Sequence, residues 1–156
     1  MNLYEYEAKK IFHEFGIPVP PSARITKPEE LRKVHFGYPI ALKCQVLSGG
    51  RGKAGGIKFP KDLKEAEAVA KDLLKLTIGG SKTESLLIEP GVQIAQELYL
   101  SVTLDRAQAC PIFIASAEGG VEIETSHNVV TMPISYPYSS FQGRKLAKML
   151  GLKGGI

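Results

Sequence analysis

Five of the eight residues from Gly49 to Gly56 are glycine, and the run joins two stretches that read as strands, 40–46 before it and 56–59 after it. A chain with this pattern is constrained to turn there, so the glycine run becomes the tip of an antiparallel hairpin. Glycine lets backbone N–H groups come close to an anion, because no Cβ intervenes and positive φ is allowed. Lys43, Arg51 and Lys53 flank and punctuate the run, which makes a polyphosphate the ligand best matched to it. The P-loop arrangement is excluded: Lys53 is followed by Ala54, Gly55 and Gly56 and a return to strand, not by Ser or Thr opening a helix.

Alternation along the first strand puts Leu42, Cys44 and Val46 on one face and Ala41, Lys43 and Gln45 on the other. A lysine in an otherwise apolar strand is costly to bury unless it is paired, so Lys43 calls for a partner anion. The other reading is an edge-strand lysine reaching solvent. For Arg51 and Lys53 a solvated hairpin loop stands beside the anion-binding reading.

The remaining sequence supplies a mixed α+β chain. Asn2 with Glu5 reads as a capping box for a first helix whose apolar stripe is Ala8, Ile11, Phe12 and Phe15, stopped at Gly16. Ile17 to Pro21 is an extended connector, because proline fixes φ and biases the preceding residue away from helix. Thr26, Pro28 and Glu29 open a short helix carrying Leu31 and Val34. Asp62 and Glu65 cap a longer one with Leu63, Ala66, Ala70, Leu73 and Leu74 at helical spacing, expected to stop at Gly79-Gly80. Strands follow at 86–89 and 97–104, the second with Leu98, Leu100, Val102 and Leu104 facing the core. Further strands at 109–115 and 121–124 complete a three-stranded meander, and 141–150 reads as a basic amphipathic helix ending at Gly151.

Composition narrows the class. With 156 residues, 44% hydrophobic and 23% charged, the chain has the make-up of a soluble globular protein and room for one domain or two small lobes. No membrane span, signal peptide or transit segment is expected, which points to a cytoplasmic setting. Cys44 and Cys110 lack metal-ligand spacing and read as buried thiols. The net charge of +4 comes without aromatics interleaved among the basic residues, so a nucleic-acid partner is not expected. Glu118, Glu122 and Glu124 read as ordinary meander residues rather than metal ligands, and His127 as a loop histidine without a partner in sequence.

Several blocks, in order, resemble one family: 1–9 (MNLYEYEAK), 43–46 (KCQV), 49–56 (GGRGKAGG), 97–100 (ELYL), 118–124 (EGGVEIE), and the late 142–144 and 150–152. They look like the N-terminal part of the β subunit of succinyl-CoA synthetase (ADP-forming), an ATP-grasp protein. The resemblance covers the whole chain but only the first part of that subunit. It implies an ATP-grasp fold with the small lobe complete, residues 21–96, and the large lobe partial, residues 1–20 and 97–156. It implies that Lys43 holds α- and β-phosphate oxygens and that the backbone of Gly50, Arg51 and Gly52 covers the phosphates. The segment from Glu89 to Val92 would contact the base, largely through backbone, and Glu97 would accept hydrogen bonds from the ribose hydroxyls. Pro20 matches a proline in ATP-preferring members and a glutamine in GTP-preferring ones, which favours ATP.

The phosphorylated histidine of the family belongs to the α subunit, so His13, His35 and His127 are not candidates and no catalytic residue is expected here. The Mg²⁺ ligands and the CoA-ligase domain follow the matched region, so the chain reads as a fragment, an engineered domain or one piece of a split subunit. Its partners would be the α subunit and the remainder of the β subunit. A malate-CoA ligase, a citrate-cleaving enzyme of the same architecture and a non-catalytic nucleotide-binding module are the alternatives.

Overall fold

The computed structural model describes residues 2–119 and 128–152, in two compact units, Met1–Gln93 and Ile94–Ile156. The first helix lies within the first of these units.

In the first unit, α1 (Glu5–Glu14) precedes β1 (Ala23–Ile25), a 3₁₀ turn (Pro28–Lys33), β2 (Ile40–Cys44), β3 (Ile57–Lys58), α2 (Leu63–Leu73), the short pair β4 (Thr77–Ile78) and β5 (Ser81–Lys82), and β6 (Leu86–Pro90). An antiparallel sheet runs in the order β1-β6-β2-β3, so β2 is an inner strand. Lys43 lies opposite Leu87 on one side and Ile57 on the other, which makes the glycine run the tip of the β2–β3 hairpin, as the sequence predicts. Ile40, Leu42, Cys44, Leu86 and Ile88 share the face packed against Leu31 and against Ala66, Ala70 and Leu73 of α2. Cys44 is a buried free thiol, and burial raises its pKa above the ordinary value.

Three local readings are corrected. Helix α1 begins two residues later than Asn2 would place it: its N-cap is Tyr4, whose N–H donates to Glu7 Oε2 at 2.9 Å, while the Glu5 carboxylate is engaged elsewhere. At the 3₁₀ turn Glu30, not Glu29, reaches back to the N–H groups of Thr26 and Lys27. Helix α2 is capped by Asp62 as expected, with the Glu65 N–H 2.8 Å from its Oδ1, but ends at Leu73. Gly79 and Gly80, at φ +56° and +78°, instead form the turn of the β4–β5 hairpin, since successive positive φ values suit a tight hairpin and not a helix.

The second unit is a meander of β7 (Tyr99–Asp105), β8 (Cys110–Ser116) and β9 (Val129–Pro133), with α3 (Ser140–Met149) laid on one face. The third strand is thus 129–133; the expected strand at 121–124 and His127 lie outside the described residues. Ala115, Met132 and Leu146 are buried, with Phe113, Val130 and Leu150 packed around them. Leu100 and Val102 lie opposite Ala115 and Phe113 and so share that apolar face. Yet Leu100, Val102 and Leu104 are each 61% exposed, which corrects the expectation that β7 turns them into the core. One ten-residue helix covers the β8–β9 half of the sheet, and among the described residues nothing covers the β7 half.

Candidate functional site

The polar face of β2 carries the candidate residues, and α1 lies across it. Besides its charged side chains, two contacts hold the helix there. The Tyr6 N–H donates to Gln45 Oε1 at 3.3 Å, and the Arg24 guanidinium sits 4.6 Å from the centre of the Tyr6 ring, while Gln45 is itself anchored by donating its amide to the Lys43 and Cys44 carbonyls. The helix docks by this polar side, because Ile11, Phe12 and Phe15 of its expected apolar stripe remain 40%, 47% and 79% exposed.

Under α1 the charged side chains interlock. Lys43 Nζ lies 3.1 Å from Glu5 Oε1 and 2.6 Å from Glu89 Oε2. Arg51 Nη1 donates to Glu5 Oε2 at 2.7 Å and to the Cys44 carbonyl at 3.1 Å. Lys9 pairs with Glu89 and approaches Glu5 Oε1 at 3.7 Å. Three cations therefore share two carboxylates, leaving one net positive charge in a cluster whose side chains are mostly withdrawn from water. Burial pushes the Glu5 carboxyl pKa up, but the charges and hydrogen bonds of Lys43 and Arg51 outweigh it and leave the group below its ordinary value. Burial, followed by the charge of Lys43, lowers the pKa of Lys9.

Lys43 is thus a paired inner-strand lysine, which removes the solvent-reaching alternative. Its ammonium has three protons, of which Glu5 and Glu89 take two. The loop is closed upon itself: the Ala54 N–H donates to the Gly50 carbonyl, the Gly56 N–H to the Arg51 carbonyl, and the Cys44 N–H to the Gly56 carbonyl. The N–H groups of Gly50, Arg51 and Gly52 donate to no described residue. Gly56 is required by close approach, since a Cβ there would stand 2.6 Å from Ile78 Cδ1 and 3.1 Å from the Arg51 carbonyl oxygen. Gly50, at φ +77°, supplies the left-handed turn.

The other expected residues are not all in this cluster. Glu89 is 4% exposed and its carboxylate is committed to Lys9 and Lys43. Val92 is 64% exposed at the end of the first unit. Glu97 is an exposed residue of the second unit, where its carbonyl accepts from the Gly119 N–H at 3.1 Å. A Cβ at Gly119 would fall 2.3 Å from the Glu97 Cβ, so only glycine fits beside it. Sequence reasoning missed Glu5, Lys9 and Arg24. Glu5 and Lys9 stand one helical turn apart, which marks an i,i+4 pair, but nothing local shows that they reach β2 and β6. An open cleft of about 690 Å³ adjoins α1, with Tyr6, Lys9, Lys10, Pro20, Arg24 and Leu87 among its lining residues.

No group of three or more His, Cys, Asp or Glu side chains among the described residues is arranged to hold a metal ion. The two acids of the cluster, Glu5 and Glu89, already face cations. The donors among the described residues therefore do not fit a Mg²⁺ site. No helix among the described residues is long and apolar enough to cross a membrane.

The first unit thus sets a glycine-rich hairpin loop and an inner-strand lysine on one cluster of cations, a candidate anion site within an α+β chain. The ATP-grasp domain model matches residues 2–155, and the chain belongs to that family. Among curated proteins it is 41% identical to the succinate–CoA ligase (ADP-forming) β subunit of Ignicoccus hospitalis, with 100% of this chain and 44% of that subunit aligned. It is 39% identical to the same subunit of Salmonella paratyphi B, over 100% of this chain and 45% of the subunit. The chain therefore spans less than half the length of these relatives.

Solved structures agree on the fold. An acetyl-coenzyme A synthetase of Ca. Korarchaeum cryptofilum superposes with a TM-score of 0.75 at 22% identity, covering 99% of this chain and 72% of that one. The ATP citrate lyase of Methanothrix soehngenii gives 0.63 at 22% identity, covering 87% and 35%.

Proposed function

We propose that this chain is the nucleotide-binding N-terminal part of a succinate–CoA ligase (ADP-forming) β subunit, residues 21–96 forming the small ATP-grasp lobe and 1–20 with 97–156 part of the larger one. The observation that carries the reading is the joint pairing of Lys43 and Arg51 with Glu5, beside N–H groups of Gly50, Arg51 and Gly52 that donate to no described residue. This is a preorganised set of donors of the kind that holds a transferring polyphosphate, where catalysis is mostly positioning and charge neutralisation. Lys43 would take α- and β-phosphate oxygens, the 50–52 backbone would cover them, Glu89 to Val92 would meet the base and Glu97 the ribose. Pro20 in the cleft beside α1 favours ATP over GTP.

In the whole enzyme the γ-phosphoryl group passes to a histidine of the α subunit, then to succinate, and CoA displaces it. A Korarchaeum acetyl-coenzyme A synthetase, whose fold is shared at a TM-score of 0.71, has been solved with a phosphorylated phosphohistidine segment. Mg²⁺ would neutralise phosphate charge, held by residues outside those described. The α subunit and the remainder of the β subunit are the partners, in the cytoplasm, and the chain by itself does not turn over succinate and CoA. The citrate-cleaving alternative draws on the shared fold of the Methanothrix lyase, since the acid would be selected outside this chain.

Calorimetric titration with ATP and GTP, with and without Mg²⁺, tests the reading. ATP should bind in preference to GTP, and Lys43→Ala should weaken it roughly tenfold to a hundredfold, the worth of a charged hydrogen bond. Equal binding by the wild type and Lys43→Ala, or no nucleotide binding, would overturn it.

A further inference from the structure

Lys43 and Arg51 are like charges on different segments, one in an inner strand and one in a loop, and they would repel if left alone. Glu5 stands between them, giving Oε1 to Lys43 at 3.1 Å and Oε2 to Arg51 at 2.7 Å. Oε2 is thus matched to Arg51 and Oε1 to Lys43, with Lys9 farther from Oε1 at 3.7 Å, and the carboxylate is 18% exposed, so little water competes for it. Neither cation is exhausted. Toward the described residues, Lys43 keeps one ammonium proton, and Arg51 commits only its Nη1 protons, to Glu5 and to the Cys44 carbonyl. The carboxylate is itself fixed by the chain: α1 is tethered to the sheet through Tyr6 and Gln45, and the Glu7 side chain takes the capping duty at Tyr4. Among the described residues the arrangement holds two cations side by side with donors to spare, beside loop N–H groups that donate to none of them.

We infer that Glu5 is a positioning residue of the phosphate site: it fixes Arg51, and with it the 49–56 loop, against Lys43, so that both cations stand ready for a polyphosphate. The inference rests on the nucleotide reading above and adds to it a function for α1. Glu5 acts through Arg51 and does not itself touch the nucleotide. The opposite role, an internal anion that blocks the cations until phosphate displaces it, makes the opposite prediction for affinity.

The test uses the full chain, with wild type, Glu5→Gln, Arg51→Ala, the double variant and Lys43→Ala, each first shown to melt cooperatively. In the absence of ligand, amide hydrogen exchange across 49–56 should speed up in Glu5→Gln, while exchange in α2 stays unchanged. Affinity for ATP and for inorganic tripolyphosphate should fall about tenfold in Glu5→Gln, and adenosine binding should stay the same, a contrast that general loosening of the fold would not give. The double variant should bind ATP no more weakly than Arg51→Ala. Unchanged exchange across 49–56, tighter ATP binding in Glu5→Gln, or equal loss of ATP and adenosine would overturn the positioning role. Wild-type binding that Lys43→Ala leaves intact would instead overturn the nucleotide reading, and this inference with it.

Discussion

At the scale of single residues, the site is governed by how charge is shared. Lys43 is tolerable in an inner strand because two carboxylates meet it, one from α1 and one from β6. Removing one partner from such a cluster leaves the others imperfectly paired, and Glu5→Gln should cost about 2 kcal/mol of stability near neutral pH. The pH dependence has a defined sign. The Glu5 carboxyl pKa is depressed in the folded chain, so its contribution is present above the ordinary carboxylate value and is lost as pH falls through the depressed one. Glu89 faces Lys9 and Lys43 in both proteins, so the difference between wild type and Glu5→Gln isolates Glu5. Urea unfolding should show that difference constant above about pH 5 and shrinking below about pH 4. A difference that grew on acidification would show that Glu5 is not an ion-pair partner in solution.

Among the elements, apolar strands meet different fates. Strand β6 buries Leu86 and Ile88 because β1 and β2 flank it and α2 covers the face they share. Strand β7 is apolar on alternate residues, yet among the described strands it is a sheet edge, and α3 packs on the β8–β9 part of the sheet. Val102→Lys should therefore change the stability of this chain by no more than about 0.5 kcal/mol, the usual range for surface substitutions. Ile88→Lys should abolish cooperative folding, because it buries an unpaired charge. Thermal melts of the two variants distinguish these outcomes, and a severe loss in Val102→Lys would mean that the β7 face is covered in solution. Helix α1 follows the same logic: its polar residues dock on β2, and Ile11, Phe12 and Phe15 are left exposed.

Over the whole molecule, the two units differ in how much they bury. The first has an apolar layer running from Ile25 and Leu31 through β2, β6 and α2, while the described core of the second centres on Ala115, Met132 and Leu146. Amide exchange should accordingly be slowest in β2 and β6 and markedly faster in β7 and β8, since local opening costs less where fewer apolar groups are buried. Equal protection in both sheets would contradict this ranking.

Much of this was legible in the sequence, because it depends on local chemistry. The glycine run forces the hairpin, alternation assigns Lys43 to the polar face of its strand, and Asp62 caps its helix through a side chain three residues from its partner. The ordered family blocks added the ATP-grasp fold. What local pattern could not decide was which side chains meet across the chain. Glu5 reads as a capping acid until the sheet places Lys43 and Arg51 beside it, separated by 38 and 46 residues. Leu100, Val102 and Leu104 read as core until the single covering helix proves to lie elsewhere on the sheet. Backbone turns and caps are fixed by neighbours within a few residues, so the sequence determines them. Ion pairing and burial depend on distant groups brought close, and those only the tertiary structure decides.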